Sequence, residues 1–81
     1  MAMPLGPHTH IPMTPEEAKA LACVASGMAN AEIAEELVLS VAAVESRIHR
    51  FAEKHDLRGR ALVVFAVEHR ECCVEPALDS A

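Results

Sequence analysis

Apolar residues recur at helical spacing along most of the chain, and polar residues punctuate them at short intervals. Leu21, Ala22, Ala25 and Met28 share one helical face. The start of that helix is marked by Thr14, followed by Pro15 and, three residues after the threonine, by Glu17. This is the pattern of a capping box with proline at the first helical position. Gly27, after Ser26, is a natural left-handed stop, so the pattern predicts a helix over 15–26. A second helix is predicted from Asn30 to about Val38, with Glu32 in its first turn and Ile33, Ala34 and Leu37 on one face. Ala29, Ala31 and Ala34 keep it slim enough for close packing. Ser40 is a good N-cap for a third helix. There Val41, Val44, Ile48, Phe51 and Ala52 fall within an arc about 100° wide. The opposite side carries Ala42, Ser46, His49, Arg50 and Glu53, and the helix is expected to end near Asp56.

The last apolar run, 61–67, is rich in valine and taken alone fits a buried strand. No other segment offers a strand partner, and Glu68, His69 and Arg70 extend it beyond strand length, so a fourth helix with Gly59 as N-cap is expected. A run this apolar covers a helix all round and needs a second buried face, which another subunit can supply. The expected fold is all-α, a four-helix domain over 14–70 with a central helix-turn-helix. Residues 1–13 contain Pro4, Gly6, Pro7, His8, His10 and Pro12 and no charged side chain, and are expected as a flexible arm. Residues 71–81, acidic and containing Pro76, are expected as a frayed tail.

Composition narrows the function. The chain has 81 residues, enough for a single domain of marginal stability. Its two phenylalanines, with no tyrosine or tryptophan, argue against a stacking platform for single strands or RNA. A net charge of −5 argues against coating polyanions by bulk charge. Charge is uneven, however. Arg47, Arg50, Lys54, Arg58 and Arg60 outweigh Glu45, Glu53 and Asp56, which makes 40–60 the one net positive stretch. No segment approaches the roughly 20 apolar residues of a membrane span. The start has neither the basic nor the apolar region of a signal peptide. Three cysteines, two adjacent, make no disulfide framework, so a reduced cytoplasmic protein is expected.

The second and third helices are joined only by Val38, Leu39 and Ser40. Such a corner matches a helix-turn-helix, whose second helix lies in the DNA major groove. The positive stretch falls on that helix and the turn after it, where phosphate contacts are wanted.

The order of residues resembles a known family. Met13-Thr14-Pro15-Glu16-Glu17, then Ala25-Ser26-Gly27-Met28-Ala29-Asn30-Ala31-Glu32-Ile33-Ala34-Glu35-Glu36-Leu37, then Leu39-Ser40 and Val44, resembles the LuxR/FixJ-type helix-turn-helix domain over roughly 13–70. The resemblance implies a four-helix domain, dimerisation through the fourth helix, and sequence-specific binding of duplex DNA to control transcription. It also implies a short stand-alone member, because the usual sensor or receiver domain is missing from these residues. By the same resemblance the base-facing positions are Glu45, Ser46 and His49. Arg47, Arg50, Lys54, Arg58 and Arg60 are expected on phosphates, and Val63, Val67 and Arg70 at the dimer interface. The chain departs from the family in having Ala43 for a hydroxyl and Glu45 for a lysine, while His55 takes an apolar core position and Asp56 a glycine's left-handed cap. Glu45 and the acidic surface favour an alternative reading, a helix-turn-helix module that pairs with or sequesters another protein.

His69, Cys72 and Cys73 place possible metal ligands at one helix end, and His8 and His10 add two on the arm. The spacing matches no standard zinc finger, so no metal and no cofactor is expected. Cys23 is expected as a small core residue, and Cys72 and Cys73 as exposed, reduced thiols near a dimerising helix. No phosphate loop, carboxylate pair or nucleophile arrangement is present, so the chain is not expected to be an enzyme.

Overall fold

A computed structural model describes residues 11–79 of the chain. Most of the arm expected over 1–13, and the last two residues, lie outside the described residues. The described residues form helices and connecting turns: α1 (Pro15–Ala25), α2 (Asn30–Leu37), α3 (Val41–Lys54) and α4 (Arg60–Glu68), then a π-helical turn (Arg70–Val74) and a short α5 (Glu75–Asp79). The strand alternative for 61–67 is excluded, and the all-α expectation holds.

Each start has a local cause. The Glu17 amide donates to Thr14 Oγ1 at 3.1 Å and the Thr14 amide to Glu17 Oε1 at 2.9 Å, which closes the capping box. At α2, where Ala29 has no side-chain cap, Glu32 Oε1 accepts the Ala29 amide at 2.8 Å. Ser40 Oγ accepts the Ala43 amide at 3.0 Å at the start of α3. Three helices end in one device, a left-handed residue with paired backward hydrogen bonds. Gly27 (φ 82°) stops α1, with Met28 bonding back to the Cys23 carbonyl. Asp56 (φ 55°) stops α3, with Leu57 bonding to Ala52, as the family pattern implied. Val38 (φ 57°) stops α2, with Leu39 bonding to Ala34. A β-branched residue is strained in this region.

α1 packs against every other helix and divides the interior into two clusters. Cys23, Ile33, Ala34 and Val44 fill the corner between α1, α2 and α3, with Ile48 and Leu37 half-buried beside them. Ala18, Leu21, Phe51, Ala66 and Val74 fill the other, between α1, the end of α3, α4 and the segment beyond. Cys23 is a core residue, as expected. Val41 departs from its expected place in the buried stripe: at the first turn of α3 it is 42% exposed.

Two expectations at the chain ends are corrected. Residues 71–79 do not fray. They are helical, and they bury Cys73 and Val74. Pro76 is the second residue of α5, directly after the π-helical turn, and the helical winding continues through it to Asp79. Nor does all of the arm stand apart, since Met13 packs on the larger cluster and the Ile11 amide donates to Cys73 Sγ at 3.2 Å.

Candidate nucleic-acid interface

α3 shows two unlike faces because its sequence alternates at helical period. Val44 and Phe51 are buried and Ile48 half-buried, which anchors the helix to both clusters. Ala42, Glu45, Ser46, His49, Arg50 and Glu53 are exposed on the outside. Ser40 fixes where the helix begins, and the three-residue turn fixes its angle to α2.

The candidate base-facing residues divide between two flanks of the helix. Glu45 and His49 line a broad cleft of about 910 Å³ with Asn30, Glu53 and Arg58. His49 Nε2 lies 3.4 Å from Glu53 Oε2, both side chains largely in solvent. Ser46 lies on the other flank, in a shallower depression with Arg47, Arg50 and the start of α1. Thr14, Glu16 and Glu17 line that depression too, so carboxylates stand beside the two arginines. No sequence signal marked Asn30, Thr14 or Glu16 as neighbours of this face, because packing of α1 and α2 on α3 brings them there.

The cationic residues are not equivalent. Arg50, Arg58 and Arg60 are exposed, and Arg47 is half-buried. Lys54 is exposed too, and its Nζ lies 2.9 Å from Glu17 Oε2 and 5.8 Å from the Phe51 ring centroid. Its charge thus ties the end of α3 to the start of α1. Burial opposes the charged Glu17 carboxyl, but the Thr14 amide and Lys54 outweigh it and hold the pKa below its ordinary value. His55, on the inner side, packs its ring at a 45° tilt against Phe51, 4.4 Å between centroids. Its buried Nε2 has no hydrogen-bond partner among the described residues. Desolvation, aided by the Lys54 charge, pushes its pKa down.

The candidate interface residues of α4 fall on its outer side, where Val63 and Val67 are 44% and 54% exposed, with Val64 between them at 45%. Leu62, Phe65 and Ala66 turn inward to the larger cluster. Arg70 is exposed, its Nε 3.8 Å from Glu75 Oε2.

With this geometry in place, comparison with known families is decisive. The model of bacterial regulatory proteins of the luxR family (GerE) matches residues 12–66, from just before the capping box to the inner side of α4. The chain belongs to the LuxR family. No curated relative and no solved structure matches it. The LuxR-family domain is a DNA-binding module of transcription regulation, and the matched residues contain its whole helix-turn-helix. No helix among the described residues is long and apolar enough to cross a membrane.

Proposed function

We propose that this LuxR-family chain binds duplex DNA sequence-specifically as a homodimer in the cytoplasm, regulating transcription by binding rather than by catalysis. The outward face of α3 carries this reading: it is exposed along its length while its inner face is locked to both clusters. In the major groove, Glu45 would accept from a cytosine amino group and His49 donate to a guanine acceptor, with Ser46 adaptable to either. Arg47, Arg50, Arg58 and Arg60 would hold phosphates, giving affinity and salt dependence rather than sequence choice. Lys54, exposed and shared with Glu17, would join them at the end of α3. The exposed Val63, Val64 and Val67 stripe supports pairing through α4, with Arg70 at its flank.

A second reading is favoured by the carboxylates beside the same helix. Glu45 and Glu53 line one flank and Glu16 and Glu17 the other. Facing phosphates they repel, and facing a basic protein surface they attract, so the module would pair with another protein.

Titration on a candidate operator and on scrambled duplex, at several salt concentrations, separates the two. For a DNA reader, Arg50→Ala weakens binding to both duplexes and lowers the salt slope by about one unit. Glu45→Lys raises non-specific affinity and erodes the preference for the operator. Two wild-type chains bind per operator, and Val63→Asp, which sets a charge in the α4 stripe, breaks the pair. If wild type has no duplex affinity even at low salt while Glu45→Lys gains it, the protein-pairing reading replaces the DNA reading.

A further inference from the structure

Beyond Glu68 the helix changes its winding. The His69 carbonyl accepts from both the Cys73 and Val74 amides, each at 3.0 Å. The second of these bonds spans five residues, the signature of a π-turn, a distortion frequent at functional sites. Wider winding reduces the angle between consecutive side chains below the roughly 100° of an α-helix. It therefore brings two adjacent cysteines toward the same side. His69 Nδ1 lies 3.5 Å from Cys72 Sγ and 3.6 Å from Cys73 Sγ, and the two sulfurs are 3.1 Å apart.

From this arrangement the geometry points to a zinc site held by His69, Cys72 and Cys73. Ligand bonds of about 2.0–2.1 Å to nitrogen and 2.3 Å to sulfur at tetrahedral angles put nitrogen and sulfur about 3.6 Å apart. Both nitrogen–sulfur distances already have that value. The same geometry puts two sulfurs about 3.8 Å apart, so the thiols part by less than one ångström as the ion enters. The expectation of exposed thiols is corrected by the same coordinates: Cys73 is 5% and His69 9% exposed, with Cys72 half-buried at the opening.

The surroundings support the assignment. The Phe65 ring stacks on the His69 imidazole at 4.2 Å and fixes its plane. The Ile11 amide donates to Cys73 Sγ, the kind of outer contact that stabilises a metal-bound thiolate. Cys23 is the internal contrast, a cysteine set among Ile33, Ala34 and Val44 that behaves as a small apolar side chain. On binding, the two thiols release their protons to solvent and bond as thiolates, and the imidazole bonds through Nδ1. Zinc would then fix the junction of α4 and the π-turn, with the Ile11 amide held against one of its ligands. The site shares no residue with the outer face of α3, so it stands or falls independently of DNA binding.

The test uses tag-free, reduced, metal-free full-length protein titrated with zinc against a chromophoric chelator, and with cobalt(II) as a spectroscopic probe. Wild type should take up one equivalent of zinc with submicromolar affinity and a raised Tm. Cobalt should give the visible bands of a tetrahedral site and thiolate-to-cobalt charge transfer. Cys72→Ser, at the half-buried position, should keep the apo fold by circular dichroism and lose at least about 100-fold in zinc affinity. Cys23→Ser should keep the affinity of wild type. Absence of the charge-transfer band, or equal zinc affinity in wild type and Cys72→Ser, overturns the site.

Discussion

The two halves of the interior are built on different plans. In the corner, Ile33 and Ala34 meet Val44 across a turn of three residues and close on Cys23 of α1, so most of what closes it is near in sequence. In the other half, Ala18 and Leu21 of α1 meet Phe51, Ala66 and Val74, gathered from positions spread over most of the chain. The corner is set by local rules of capping, stopping and period. The other half exists only once distant segments have docked. The corner therefore presents α3, while the larger half decides whether there is a folded body to present it.

Substitution can break that contrast most sharply at Val74, which is 0% exposed. Val74→Asp buries an unpaired charge and should cost more than about 3 kcal/mol, a large share of what so small a domain has. Ile33→Ala in the corner, at about 2–5 kcal/mol, should leave a weakened but cooperative transition. Urea unfolding followed by circular dichroism measures both. An unchanged midpoint for Val74→Asp would mean that the segment beyond α4 is no part of the body.

A smaller effect, of opposite sign, is expected at the corner's turn. Val38 is 88% exposed and left-handed, so Val38→Gly relieves strain without removing packing. Against about 1–2 kcal/mol of relief stands the greater freedom of glycine in the unfolded chain, so the net gain should be near 1 kcal/mol. A Tm that falls would show that the corner relies on Val38 for more than its backbone.

The gentlest probe is acid. Desolvation of half-buried His55 beside Phe51 puts its folded pKa below the ordinary 6.5. As pH falls through 6.5 the unfolded chain takes up a proton that the folded chain refuses, so stability declines with acidity there. Glu17 adds a second decline as pH falls below its ordinary 4.5, because its depressed pKa reflects interactions made by the carboxylate. His55→Leu should flatten the first slope in a series of urea midpoints between neutral and mildly acidic pH, leaving the second in place. An unchanged slope would remove His55 as its source.

What could be read in the sequence follows the same division. Thr14, Gly27 and Ser40 announce the helix boundaries of the corner through local chemistry, and Ile33 and Val44 announce its core through period. Asp56 was legible as a left-handed cap only through the family pattern. Residues 71–79 read as a frayed tail because their acidic residues and Pro76 mask a weaker signal. Ala66, His69 and Cys73 continue the inner stripe of α4 through the π-turn. On the reading helix, period separated the exposed residues from the buried ones. It did not show that Lys54 is bound to Glu17, because that pair is 37 positions apart and meets only through packing.

The central place of α1 has a consequence for synthesis. Ala18 and Leu21 are made before the other buried members of the larger cluster, of which Val74 comes last. At about 5–20 residues per second, a nascent chain carries an unfinished apolar face for several seconds after α1 has formed. α3 is made before the larger cluster that supports its end is complete. For that interval the emerging chain exposes apolar surface on α1 that the finished fold covers.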